Sequence, residues 1–215
     1  MKILALEFSS GQRTVAVGDS GRVYARALDD GGQRHGGFAA IDEVLREAGL
    51  EREQIECVTI GLGPGSYNGI RSAIAIAQGW ELALATRLRG INSAEAIAHE
   101  AHLAKLLGDV NVVIDGQRGE FYLGRYTIDA GGFQERVPLR IATMDEVKAL
   151  AQSNEIIVGP EVNKWFAEGS QLFPSASGLA LLAAQRTDFT RGEKLEPIYL
   201  REVNFVKAPP PRLIL

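Results

Sequence analysis

The chain has 215 residues, 46% of them hydrophobic and 23% charged, and a formal net charge of −4. This is ordinary globular composition, which excludes a disordered or fibrous chain, and a chain of this length buries about 70% of its unfolded surface without help from disulfides or a structural metal. The acidic balance argues against a chain that grips a phosphate backbone by itself, and the single cysteine, Cys57, rules out an intrachain disulfide and fits a reducing compartment.

Residues 2–8 (KILALEF) form a short apolar run closed by Ser9, Ser10 and Gly11, and predict a buried first strand. The start carries an acid at position 7 and no cleavable signal pattern. No run of the chain approaches the roughly 18 apolar residues of a membrane span, so a cytoplasmic protein without a membrane segment is expected. Residues 13–18 and 22–28 predict two more strands, with hairpin turn chemistry at Asp19-Ser20-Gly21. A Gly-rich loop over 30–36 follows. Ile41, Val44, Leu45 and Ala48 then fall at i, i+3, i+4 and i+7, predicting a helix over 37–48 that ends at Gly49. Residues 56–62 (ECVTIGL) read as a buried parallel strand in which Cys57 is a small apolar side chain. The segment 63–69 (GPGSYNG) leads into a helix over 67–86. A short strand over 88–92 comes next, then a helix capped by Ser93 and running to Leu107, with Gly108 as its stop.

The second half repeats this grammar. Residues 109–114 predict a strand that ends in Asp115-Gly-Gln-Arg-Gly119. Strands over 120–128 and 135–141 are joined by a turn at Asp129-Ala-Gly-Gly132. Thr143 and Glu146 have capping-box spacing for a helix ending near residue 151. A strand over 155–159 and helical segments near 161–168 and 177–186 follow, and Pro209-Pro-Pro211 predicts an extended terminus. Both halves read β-β-β-α-β-α, and each first strand closes on an acid and a Gly-containing turn. The expected fold class is therefore α/β: a two-lobed actin-like (ASKHA, RNase H-like) fold made from a duplicated unit. The expected lobes are 1–107 and 108–215.

Few residues offer chemistry. The segment 63–69 stands between a strand and a helix, where free amides attract anions. Its G-x-G-x-x-x-G spacing is one residue longer than a dinucleotide fingerprint and lacks the Lys-Ser/Thr of a Walker loop. Pro64 and Asn68 occupy the glycine positions that a nucleophile elbow around Ser66 would need. The segment is either a tight turn that lets two backbones pack closely or a contact for an anion or a partner. Glu7 and Asp115, at matching turns, are either solvated strand-end acids or facing carboxylates for a magnesium-bound phosphate. His99 and His102 share i, i+3 spacing, but no third ligand accompanies them, so no metal site is expected. No Ser-His-Asp, HExxH or CxxC pattern is present, and no catalytic residue is assigned.

The helix over 67–86 is the unusual element. Between Ile70 and Leu84 its only charged residues are Arg71 and Glu81. Ile70, Ala73, Ile74 and Ala77 form one stripe, while Ala75, Ile76, Gly79 and Leu82 cover much of the remaining circumference. Such a helix is poorly suited to face water on one side. Leaving about 300 Å2 of it exposed would forgo about 7 kcal/mol of burial at ~25 cal/mol per Å2. One face packs on its own sheet, and a partner protein over the other face is favoured over a purely internal core.

Four strings together resemble the TsaB (YeaZ) family of bacterial tRNA-modification proteins: KILALEFSS at the start, GLGPGSYNGIRSAIAIAQG at 61–79, VIDGQRGEFYLGRY at 113–126 and EPIYLR at 196–201. The resemblance covers nearly the whole chain, in order. It implies the actin-like fold and the role of an inactive partner of TsaD in threonylcarbamoyladenosine (t6A) synthesis. TsaD is the enzyme that transfers a threonylcarbamoyl group to N6 of adenosine 37 in tRNAs reading ANN codons. The resemblance further implies that TsaE, an ATPase, joins the pair, that the chain is a homodimer when alone, and that tRNA is reached only through the complex. It implies no cofactor in the isolated chain, with ATP or ADP at the complex interface. The helices matching 37–48 and 67–86 are the implied contact, with Phe38, Ile41, Tyr67, Arg71, Ile74 and Gln78 as its expected residues.

The TsaD relatives carry a metal-binding His-x-x-x-His directly after a Gly-Val/Ile-Asn segment. Here Gly90-Ile-Asn92 is followed by Ser93 and Ile97, and neither replaces an imidazole ligand. Glu7 stands where the family has Asp, Tyr67-Asn68 where it has Phe-Thr, and His35 is followed by glycines rather than larger polar residues. The rival expectation is a stand-alone ATP-binding enzyme of the same fold class, a small kinase or ATPase, with Glu7 and Asp115 as its cofactor-binding acids.

Overall fold

A computed structural model describes residues 1–28, 36–153 and 155–201. The loop carrying His35 and the Pro209-Pro-Pro211 terminus lie outside them. Two five-stranded sheets share one design. In the first, β1 (Ile3–Glu7), β2 (Thr14–Asp19) and β3 (Arg22–Ala27) form an antiparallel meander. β4 (Cys57–Gly61) and β5 (Arg87–Ile91) add in parallel on the other side of β1, giving the order β3-β2-β1-β4-β5. The second sheet contains β6 (Gly108–Asp115), β7 (Glu120–Asp129), β8 (Gly132–Thr143), β9 (Ile156–Gly159) and β10 (Ser170–Gln171). Read from its far edge its order is β8-β7-β6-β9-β10, with the same antiparallel and parallel pairings. The repeat in the sequence is thus a repeat in topology, and the fold is the two-lobed actin-like α/β class that was expected. The β2–β3 hairpin turns on Ser20 and Gly21, both left-handed (φ 50° and 82°), the geometry that a two-residue connection between twisted strands favours.

Helices α1 (Gly36–Ala48) and α2 (Tyr67–Leu84) cover one face of the first sheet. Val44, Leu45, Ile70, Ala73 and Ala77 pack there with Leu4, Leu6, Val58 and Ile60. The next helix, α3 (Ser93–Leu103), crosses over: Ala94, Ile97, Ala98 and Ala101 pack with Val110, Val112 and Tyr126 of the second sheet. From the second half, α5 (Ala176–Ala184) returns the exchange and sets Leu179, Ala180 and Ala183 against Ile3, Ala5 and Ala16. α4 (Met144–Gln152) covers the remaining face of the second sheet through Val147. A cut between residues 107 and 108 therefore separates the sequence repeats but not the packing units, because the first sheet's second face is covered by α5.

Three local readings are corrected. The N-cap of α3 is Asn92, whose side chain accepts the Ala94 amide at 2.8 Å, and not Ser93. The helix stops at Leu103 rather than Leu107, and Lys105 turns the chain in a left-handed conformation (φ 57°). The helical segment expected over 161–168 shrinks to one 3-10 turn, Val162–Lys164. Thr143 does cap α4 by accepting the Glu146 amide, while the Glu146 carboxylate pairs with Arg140.

One buried charge gave no sign in the sequence. Arg89 on β5 is fully buried, and its guanidinium donates to the carbonyls of Ala183, Arg186 and Asp188. It adds a charged donor to carbonyls at and just beyond the end of α5, of which the Ala183 carbonyl also accepts the Arg186 amide at 3.2 Å, and the Phe189 ring lies 4.6 Å from it. Arg89→Leu is expected to cost about 3 kcal/mol of unfolding free energy in a denaturant titration, because buried acceptors lose a charged donor. Arg87→Leu, exposed on the same phenyl ring, should cost under about 1 kcal/mol; equal losses would contradict this assignment.

Candidate functional site

The segment 63–69 turns the chain from β4 into α2. Ser66 is the N-cap, and its hydroxyl accepts the Gly69 amide at 3.3 Å. Its own amide donates to the Ser9 carbonyl at 2.6 Å, which lays the β1–β2 loop against the start of α2. A Cβ at Gly65 would lie 2.0 Å from the Ser9 oxygen, and one at Gly69 would lie 2.0 Å from the Phe8 oxygen. Close backbone packing accounts for these two glycines.

Glu7 lies beside this junction and is wholly buried. Its carboxylate accepts the Ser9 amide at 2.7 Å and the Ser93 hydroxyl at 3.0 Å, and the Ser93 oxygen accepts the Gly63 amide at 3.1 Å. A Cβ at Gly61 would fall 1.9 Å from the same carboxylate. Burial pushes the Glu7 carboxyl above its ordinary range, against the bonds from Ser9 and Ser93 that favour its ionised form. Glu7 is thus an internal tie between β1, the glycine turn and α3. The reading of Glu7 as an acid facing a bound phosphate is corrected: both of its oxygens are spent inside the lobe.

Asp115 lies differently. It lines the cleft between the lobes, a cavity of about 340 Å3 with Ser9 and Ser66 on one wall and Gln117, Glu161 and Lys164 on the other. Its carboxylate accepts the Gln117 amide at 2.7 Å, which closes a turn in which Gln117 and Arg118 are left-handed (φ 62° and 58°). Burial pushes the Glu161 carboxyl up, opposed by Lys164. Ser93 and Ile97 sit one turn apart on α3, with Ile97 at the cleft. The two histidines diverge. His99 is buried edge-on to Phe133, where desolvation holds its pKa down, and His102 lies 3.1 Å from the Asp129 carbonyl. Among the described residues, no three His, Cys, Asp or Glu side chains converge as metal ligands would.

α2 has two faces. Ile70, Ala73, Ile74, Ala77 and Trp80 point into the lobe. The helical period puts Arg71, Ala75, Gly79 and Leu82 in a row on the opposite side, where all four are exposed. Leu82 is 87% exposed, and nothing lies within 4 Å of the position a Cβ would take at Gly79. Tyr67 heads the row at 51% exposure, and Phe38 on α1 is 59% exposed. Two expected contact residues are corrected. Ile41 and Ile74 are 2% and 7% exposed in the first-lobe core, so they support α1 and α2 from beneath. The Gln78 amide is half-buried and donates to the Gly192 carbonyl at 2.8 Å. Tyr199 was missed: its ring stacks on Tyr67 with centroids 5.5 Å apart, and Arg71 lies 5.1 Å over the Tyr67 ring. The string EPIYLR was its only sign.

Comparison with known proteins bears on this arrangement. A family model described as TsaD, tRNA N6-adenosine threonylcarbamoyltransferase, matches residues 38–195. The chain belongs to this family. The tRNA threonylcarbamoyladenosine biosynthesis protein TsaB of Escherichia coli is 26% identical to it, over 97% of this chain and 99% of its own. The protein of that name from Haemophilus influenzae is 28% identical over 79% and 80% of the two chains. The solved structure of YeaZ from Pseudomonas aeruginosa shares the fold, with a TM-score of 0.78, 23% identity and coverage of 93% and 99%. Within the family the chain stands with the TsaB (YeaZ) proteins, as a TsaD-like paralogue. Among the described residues, no helix is long and apolar enough to cross a membrane.

The buried acid makes a pH prediction. The folded-state pKa of Glu7 lies above its ordinary value of 4.5. Its contribution to stability is therefore complete below that value and is lost as pH rises through the elevated one. The Tm of the wild-type chain should include this fall, and Glu7→Gln should lack it when both are melted across a pH series. Parallel Tm curves for the two proteins would contradict the assignment.

Proposed function

We propose that this chain is a non-catalytic subunit in t6A synthesis. It pairs with a TsaD-like transferase and supports threonylcarbamoylation of adenosine 37 in ANN-decoding tRNAs. The observation that carries this reading is the bare row Ala75, Gly79 and Leu82 on α2, headed by Tyr67 and Arg71, with Phe38 also exposed on α1. Small residues at 75 and 79 let a second helix approach the backbone closely, and Leu82 offers an apolar ridge to fill its groove. A TsaD-like partner laid on this row buries it; a second copy takes that place when the chain is alone. A TsaE-like ATPase joins the pair, ATP or ADP binds at the interface of the complex, and the assembly works in the cytoplasm. The net charge of −4 supports a tRNA held chiefly by the partner.

The non-catalytic half of the proposal rests on residue types. Where the transferases carry their first histidine, this chain has Ser93, whose hydroxyl is committed to Glu7 and Gly63. Where they carry the second, it has Ile97, an aliphatic side chain at the cleft. Neither is a ligand for a transition metal. The rival reading, a stand-alone ATP-binding enzyme, loses one of its two acids with the burial of Glu7.

Leu82→Asp is the direct test, because so exposed a side chain supports nothing inside the lobe. Purified with its own TsaD-like protein, with and without ATP, the variant should lose co-elution while keeping the wild-type Tm. Gly79 gives a second pair of variants. Gly79→Ala should raise the chain's own stability by about 0.5–1 kcal/mol, as alanine does in an open helix interior, whereas Gly79→Leu should block pairing. If Leu82→Asp and Gly79→Leu both pair like wild type, this face is not the contact.

A further inference from the structure

After α5 the chain returns to the first lobe as a strap. Thr190 bridges Leu88 on the edge strand β5. The Gly192 amide donates to Glu81 on α2 at 3.0 Å, and Leu195 enters the first-lobe core. The Ile198 amide donates to the Leu62 carbonyl at 2.8 Å, and Tyr199 stacks on Tyr67. Two residues later the strap changes lobes. Arg201 Nε donates to the Glu120 carboxylate at 3.1 Å, and its Nη2 donates to the Gly116 carbonyl at 3.0 Å and the Gln117 carbonyl at 3.3 Å.

These contacts fall on the two rims of the cleft. Leu62 and Tyr67 bracket Pro64, Gly65 and Ser66, which line the first-lobe wall; the residues that Arg201 holds follow directly on Asp115, which lines the other. We propose that residues 195–201 are a latch across the cleft, with Arg201 fixing its width and thereby the seat of Tyr199 at the partner-facing end of α2. Separating the walls has to break the bonds of Arg201 together or pull Tyr199 off Tyr67. A planar guanidinium that reads a carboxylate and two carbonyls at once recognises one geometry of the turn, which a lysine does not. The site is half-exposed, with side-chain exposures of 35% for Arg201 and 42% for Glu120, so the latch opens reversibly rather than locking. A partner that covers Tyr67 and Tyr199 together favours the latched state, and by linkage the latched state favours that partner. This coupling rests on the proposed partner role; the latch itself does not.

Hydrogen exchange on the full chain, read by mass spectrometry, tests it. In Arg201→Ala, amides over 62–67 and 115–120 should exchange about tenfold faster, as expected when local opening becomes easier, while β1 and β4 stay at wild-type rates. Glu120→Gln should shift the same segments by less, and Arg201→Lys should fall between wild type and Arg201→Ala. Unchanged exchange on both walls in Arg201→Ala overturns the latch. In a second arm, Arg201→Ala should bind the TsaD-like protein more weakly than wild type, and faster exchange with unchanged affinity overturns the coupling. If the wild-type chain does not pair at all, the partner role fails, and the exchange arm still decides the latch.

Discussion

One helix carries more apolar surface than its own lobe covers. α2 spends Ile70, Ala73, Ala77 and Trp80 on the first sheet and leaves Ala75, Gly79 and Leu82 on the outside. The lobe fixes which side is left over. Gly65 and Gly69 press the start of the helix against Phe8 and Ser9, backbone on backbone, so the helix has one way to sit. Gln78 and Glu81 are tied to Gly192 along its flank. The open row is therefore a rigid surface set by the fold, and its orientation is fixed before any partner arrives, which lowers the ordering cost of association.

The two halves differ at the element that carries this surface. Both halves share the same sheet order, but the element after β9 is a single 3-10 turn where the first half has the long α2. The acids at the matching turns have diverged in the same way. In the first half the β1–β2 loop is pressed onto α2, and Glu7 is drawn under it to satisfy Ser9 and Ser93. Among the described residues of the second half no α-helix presses on the turn, and Asp115 stays at the cleft. The first lobe thus presents an exposed helix face, while Asp115, Glu161 and Lys164 line the cleft.

Much of this was legible in the sequence because it is local. The strands announced themselves as short apolar runs between turn residues, the β2–β3 hairpin through its Ser-Gly turn, and α2 through its charge-poor circumference. What was missed depended on the rest of the chain. The exchange of α3 and α5 between sheets is a tertiary choice that no local pattern encodes. Glu7 looked like a loop acid because a carboxylate is assumed solvated; its burial depends on Gly61 making room and Ser93 arriving from another element. Ile41 and Ile74 were expected at the contact although they lie on the apolar stripes that pack inward, since their apolar character suits either face. Arg89 and Arg201 recognise backbone carbonyls of distant segments, a role that leaves no pattern around them. The family resemblance came from strings that carry these long-range fits, above all the glycines of 61–69.

On the proposed role, this chain supplies no catalytic residue and is needed because another protein docks on α2. The most direct measurement is the t6A content of bulk tRNA, by mass spectrometry of digested nucleosides, in cells depleted of this protein. On that role t6A should collapse while other modified nucleosides persist, and a copy with an intact α2 face should restore it. Undiminished t6A after complete depletion would contradict it.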